Sequence, residues 1–411
     1  MSHHGNNRTL IILILGSLST ISPFAIDMYL PAFPEIATAL HTSQAHVSLS
    51  ISSYFAGLAA GQLFYGPLLD RFGRKIPLYV GLLIFIAASV LCLFSQHVEW
   101  LVAMRFLQAL GGCSAQVAAM AMVRDFFPVQ ETAKIISLLI LILGASPLLA
   151  PTTGGWVSTR LGWQWVFVIL ATVAALNIAL VFFYLPPGHL PDKTVSLRPL
   201  AIFAGFSDVL KEPQFTTFAV SGAFAFSGLL VYVAGSPIIF MSVFHVSARA
   251  FGIIFACLAV GFIGSNQVNV LLLRKFSSIQ IFYGSLLVEC PASLLFLIGV
   301  MQGWIGFKAT LVLLFIILTS LGLAYPNAAA LALSPIDRNI GSASAMLGFI
   351  QIGISGIASA SIGALNSNGL RPTVVLIGLT SWIGLAIFLL GKQKIGRIRF
   401  VEEQGAVPVA H

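Results

Sequence analysis

Long apolar blocks separated by short polar loops dominate this chain. A bilayer core about 30 Å thick needs roughly 20 apolar helical residues to cross it. Twelve blocks fit: residues 9–31, 46–69, 76–95, 101–123, 134–157, 163–185, 214–240, 249–272, 279–302, 305–333, 341–366 and 370–391. The pattern predicts an all-α membrane protein with twelve transmembrane helices, numbered here as spans 1 to 12.

The loops sort by charge. With the N-terminus inside, all but five of the 21 Lys and Arg residues fall on its side, the exceptions being Arg105, Arg160, Arg249, Lys308 and Arg371. Basic residues collect in cytoplasmic loops, so both termini are expected in the cytoplasm. An odd number of spans would scramble this sorting. The longest connection contains "PPGHLPDKTVSLRPL" and divides the chain into six spans plus six. We therefore expect an N-terminal half over 1–185, a cytoplasmic linker over 186–213, a C-terminal half over 214–392 and a tail over 393–411. The internal repeat is weak: "LLLRKF" at 271–276 stands where the first half has "GPLLDRFGRK".

Composition removes the soluble alternatives. The 411 residues are 58% hydrophobic and 8% charged, against roughly 25% charged in soluble domains. The formal charge of +8 lies in short loops, where it reads as a topology signal; nucleic acid is not an expected partner. Cys92, Cys113, Cys257 and Cys290 all lie inside apolar blocks without a CxxC or Cys/His cluster, so neither a disulfide frame nor a metal site is expected. His3 and His4 read as tail. Arg8 precedes the first block and no small-residue cleavage site follows, which reads as a retained span.

Three stretches carry candidate chemistry. The loop after span 2 holds Gly66, Asp70, Arg71, Gly73, Arg74 and Lys75. Three cations at a membrane edge satisfy the charge rule, but that rule does not explain Asp70 or the spaced glycines. An aspartate there can sit on a helix N-terminus, and glycine permits a tight turn. In span 5, "LGASPLLAPTTGGW" puts Gly144, Pro147, Pro151 and Gly155 on one helical face, with Gly154 beside them. Proline bends a helix, and small residues let helices approach closely in lipid. A generic kinked packing helix is the plainer reading. In span 4, Arg105, Gln108, Gly112 and Gln116 lie near one face, and Arg105 is at a depth similar to Asp27 of span 1. Intramembrane ionisable residues usually line polar cavities. We expect Asp27 and Arg105 to neutralise each other across a gap, with Asp27 gaining and losing a proton as the cavity opens to each side. A permanent structural ion pair is the alternative. Glu289, mid-span 9, is expected to be protonated or to face a polar neighbour. Asn266, Gln267, Asn269, Asn327 and Gln351 could line the cavity or bond another helix.

With these residues in view, the chain resembles the Bcr/CflA subfamily of major facilitator drug:proton antiporters. The carrying stretches are "IDMYLPAFP", "GQLFYGPLLDRFGRK", "MRFLQALGG", "LAPTTGGW", "GSPIIF", "AYPNAAALAL" and "GSASAMLGFIQ". The resemblance implies the major facilitator fold, two six-helix halves related by an axis along the membrane normal, in a bacterial cytoplasmic membrane. It implies that Asp70 caps span 11 in the outward-facing form, that Arg74 pairs with Asp125 at the inner end of span 4, and that this cluster is a conformational latch. It makes the span 5 stretch an antiporter motif that limits leak and favours export. It places the cavity between the halves, with Tyr29, Tyr54, Phe55, Gln108, Gln116, Tyr232 and Phe240 as candidate contacts. Eight residues before Asp27, where related exporters have a second acid, stands Ser19. The expected function is proton-coupled export of small, partly hydrophobic drugs or metabolites, of the bicyclomycin- or chloramphenicol-resistance type. The alternative is a dedicated exporter of one metabolite, such as a purine, an amino-acid derivative or a siderophore. No cofactor beyond the coupling proton is expected, and a monomer in the bilayer is. A membrane enzyme or receptor fits poorly, since the sequence has no nucleophile triad, phosphate loop or sizeable soluble domain.

Overall fold

A computed structural model describes residues 3–186, 188, 191–192, 206–336, 340–364 and 369–395. The side chains of 3–7, 340, 364 and several positions between 129 and 140 lie outside that description. Most of the expected linker, Arg338, and the tail beyond residue 395 also fall outside it.

Span 1 is His3–Asp27, and the chain continues through a 3-10 turn, Leu30–Ala32, into a short helix, Phe33–Ala39. Spans 2, 3 and 4 are Gln44–Phe72, Lys75–Leu93 and Val98–Phe126. Span 5 comprises two helices, Val129–Gly144 and Ser146–Leu161, and span 6 is Gln164–Tyr184. Span 7, Pro213–Pro237, runs into a π-helical turn, Ile238–Val243. Spans 8 to 12 are Ala248–Leu272, Ser278–Gln302, Phe307–Leu333, Ile340–Ala364 and Leu370–Lys394. Among the described residues, 11 helices are long and apolar enough to cross a membrane; the two pieces of span 5 make the twelfth crossing.

Two local expectations change. Span 5 is not one continuous helix with its glycines and prolines on a single face. Pro147 lacks the N–H that would bond the Leu143 carbonyl, and the chain tightens at Ala145, whose N–H bonds Ile142 at 3.1 Å and whose carbonyl accepts from Leu148 at 3.2 Å. Span 1 ends its α-helix at Asp27, four residues short of the expected end, because Pro31 and Pro34 follow closely. Asp27 therefore lies at a helix end beneath a buried turn rather than inside a longer helix.

Spans 1 to 6 pack on one another, as do spans 7 to 12, and the halves meet along two principal seams: span 2 with span 11, and the second piece of span 5 with span 8. On the face away from the basic loops both seams are tight. Ser359 donates to Ser52 at 3.0 Å across the first. Across the second, a methyl on Gly252 would come within 2.9 Å of the Thr152 backbone, and one on Gly155 within 3.0 Å of the Ala248 carbonyl. Glycine is required there by backbone approach rather than by dihedral angle.

Candidate functional site

Between the halves lies a cavity of about 300 Å³ whose lining includes Asp27, Phe55, Pro147, Tyr232, Phe255 and Tyr325, from spans 1, 2, 5, 7, 8 and 10. Asp27 is the one charged side chain among its described lining residues. The break in span 5 sets its partner: Ser146, the first residue of the second piece, donates its hydroxyl to Asp27 Oδ2 at 3.1 Å. The rest of the wall is aromatic and aliphatic. Tyr232 stacks on Phe255 at 5.7 Å, and Phe226 lies 4.5 Å from Tyr325. The buried Tyr232 hydroxyl has no hydrogen-bond partner among the described residues. Such a wall with a few polar groups suits a partly hydrophobic small molecule.

Arg105 does not join this cavity. It is fully buried inside the N-terminal half, and no ion pair forms between it and Asp27. Its Nη2 donates to the Ala25 carbonyl at 3.1 Å and its Nη1 to Gln108 Oε1 at 2.5 Å. Gln108 is held in turn by Ser89, to which its Nε2 donates at 2.7 Å. The guanidinium sits 4.6 Å above the Tyr29 ring and 4.2 Å above that of Tyr54. Desolvated cation–π contacts contribute about 2 kcal/mol, against a burial cost of several kcal/mol per unpaired ion. The carbonyl and amide acceptors supply further compensation. The expected acid–guanidinium neutralisation is thus replaced by a π and carbonyl cage, because this face of span 4 turns toward spans 1, 2 and 3. Tyr29, Tyr54 and Gln108 build that cage, and Tyr29 also shares a 2.8 Å hydrogen bond with Ser50. Gln116 is half-buried and does not line the cavity. Phe240, carried by the π-helical turn, packs against Phe251 and Phe307 instead. Of the expected contacts, Asp27, Phe55 and Tyr232 line the cavity, together with Pro147 of the span 5 stretch.

At the basic loop, Arg74 forks onto Asp125, through Nε at 2.8 Å and Nη2 at 3.3 Å, while its Nη1 donates to Asp70 at 2.6 Å. Burial works against the Arg74 charge, but the bonds to Asp125 and Asp70 outweigh it, and its pKa lies above the ordinary value. Gly73 has φ 79° and ψ 170°, a region nearly restricted to glycine. Gly66 sits one helical turn before Asp70 with open space at its Cβ position, and Arg71 and Lys75 flank the turn. The Asp70 carboxylate turns to Arg74, and residues 337–339, just before span 11, lie outside the described residues.

Sequence reasoning missed two contacts. The start of the linker lies on this cluster: Asp192 N–H donates to the Asp70 carbonyl at 3.1 Å, and Gly188 borders Arg74 and Asp125. Arg8 pairs with Glu131 and lies over Phe127, tying span 1 to the start of span 5. Glu289 has the polar neighbour expected of it: it faces span 12 inside the C-terminal half, where Ser381 donates to its Oε1 at 2.5 Å, and it is fully buried and outside the cavity.

A two-half helical membrane protein with an acid in an apolar cavity at the seam has the architecture of a transporter. The chain belongs to the Major Facilitator Superfamily, whose profile matches residues 15–360. It is 31% identical over 400 residues to the uncharacterised transporter YdgK of Bacillus subtilis (strain 168), covering 96% of this chain and 98% of that one. It is 28% identical to a bicyclomycin resistance protein homolog of Haemophilus influenzae, covering 90% and 92%. The multidrug resistance protein MdtL of a Shewanella species is 25% identical, covering 92% and 94%. These relatives support the Bcr/CflA resemblance. In fold, the chain matches a bacterial homolog of the lysosomal transporter Spinster in its inward-facing, unoccupied form, with TM-score 0.75, 17% identity and coverage of 96% and 98%. It also matches the D-xylose–proton symporter, with TM-score 0.72, 14% identity and coverage of 93% and 97%.

Proposed function

We propose that this protein is a proton-coupled antiporter that exports small, partly hydrophobic compounds from the cytoplasm, with its basic face and both termini cytoplasmic. The observation that carries the reading is Asp27, the lone carboxylate in an apolar cavity between two halves, held by a serine that the span 5 break positions. Relatives named for bicyclomycin and multidrug resistance support the substrate class. Proton and substrate compete for Asp27, so that neither the doubly loaded nor the empty carrier reorients. The glycine-lined seams close one face, and on the other the Arg74 cluster ties spans 2 and 4 of the N-terminal half to the start of the linker.

The test is efflux in inside-out vesicles across a compound panel, with a pH-sensitive dye following proton movement. Substrate uptake accompanied by proton release, and abolished when the proton gradient is dissipated, is expected. Transport that persists without the gradient but requires sodium would defeat the coupling assignment.

The latch makes a separate prediction. Asp70→Asn turns a charged acceptor of Arg74 into a neutral one but touches no cavity residue. Turnover is expected to fall while substrate affinity changes less than twofold, a split read from initial rates and equilibrium binding. A large affinity loss would make the loop part of a binding site.

A further inference from the structure

A groove runs along the outer surface of spans 8, 9 and 10, away from the central cavity. It consists of two adjoining hollows of about 460 and 400 Å³ that share Phe315 and Ile316. The hollow toward the basic loops carries polar groups, Gln280, Ser285, Thr319 and Ser320, and the Thr319 hydroxyl is buried without a partner among the described residues. The other hollow is lined by aliphatic and aromatic side chains and Cys257. At the polar end, Leu272 and Phe276 flank the turn that bears Arg274 and Lys275. Both cations are exposed and have no ion-pair partner among the described residues, unlike Arg74, which two carboxylates neutralise. The floor is open: a methyl added at Gly284 would meet nothing within 4 Å.

We propose that this groove binds an anionic phospholipid, with the phosphate at Arg274 and Lys275 and one acyl chain along the shared wall toward Cys257. Charge complementarity argues for an anionic headgroup rather than a zwitterionic one. The graded lining, polar near the cations and apolar beyond, matches the order of groups along such a lipid. Arg249 and Lys308 lie beyond the apolar end, but no polar lining adjoins them there, so the headgroup is assigned to the Arg274 end.

The full-length protein, purified in detergent, is offered phosphatidylglycerol or phosphatidylcholine with the same acyl chains, and retained lipid is counted by native mass spectrometry. Each basic side chain near an anionic phosphate favours association severalfold. The wild type is therefore expected to retain phosphatidylglycerol over phosphatidylcholine on the order of tenfold. Arg274→Gln with Lys275→Gln should bring the ratio to parity, while Arg249→Gln with Lys308→Gln leaves it unchanged. Gly284→Leu, which fills the groove, should lower retention of both lipids. Equal retention by the wild type, a preference that survives loss of Arg274 and Lys275, or unchanged retention with Gly284→Leu would each overturn the assignment.

Discussion

Asp27→Asn is expected to abolish uphill efflux while leaving the protein folded in the membrane. The replacement has nearly the same shape, and its side-chain oxygen can still accept from Ser146, which meets Asp27 at 3.1 Å. It cannot exchange a proton. One proton moving inward supplies about 2.3 kcal/mol per 100 mV of membrane potential, a concentration ratio of roughly 50-fold. The variant should lose that ratio entirely and equilibrate substrate across the vesicle membrane at best. Substrate entry down its own gradient is expected to survive, because the aromatic wall of Phe55, Tyr232 and Phe255 is untouched. Asp27→Ala is a poorer probe, since it leaves the Ser146 hydroxyl unpaired in a buried site at a cost of about 1–3 kcal/mol. The measurement is the steady-state accumulation ratio at an imposed potential. Full accumulation by the Asn variant would remove Asp27 from coupling.

The architecture was legible because a bilayer imposes a linear requirement: each crossing needs its own apolar length, and each loop exposes its charge to one side. Twelve blocks could be counted without knowing any contact. The site was legible only in part. A helical wheel places Arg105 and Gln108 on one face of span 4 but does not say which helices that face meets. The answer, spans 1 to 3, depends on tertiary packing, and it turns an expected ion pair into a cation enclosed by Tyr29 and Tyr54. The same limit misplaced Phe240, because a π-helical turn after Pro237 re-aims the side chains beyond it. The prolines of span 5 announced a distortion. That it would be a break at Ala145, turning Ser146 toward Asp27, required the neighbouring end of span 1. The loop cluster was the most readable of the candidate features, since Asp70, Gly73 and Arg74 sit within five residues and their geometry is largely local.

Gly252→Leu is expected to reduce efflux by more than tenfold through the seam rather than the cavity. Gly252 lies where the backbone of span 8 meets Thr152 of span 5; even a methyl there comes within 2.9 Å of backbone atoms. Packed interfaces transmit such volume instead of absorbing it, and overpacking typically costs about 1–3 kcal/mol. That cost falls only on the conformation in which spans 5 and 8 touch. An equilibrium between two accesses balanced to within a few kcal/mol should then shift toward the form with this seam open. A shift of 1.4 kcal/mol is already tenfold. The prediction separates a gating defect from misfolding. The variant should reach the membrane at normal levels, and a cysteine placed at Phe55, in the cavity wall, should react faster with a membrane-impermeant thiol reagent added from the face opposite the basic loops. Gly252→Ala should fall between the wild type and the leucine variant in both readouts. Unchanged efflux and unchanged labelling in Gly252→Leu would mean that the span 5–span 8 contact does not close the pathway.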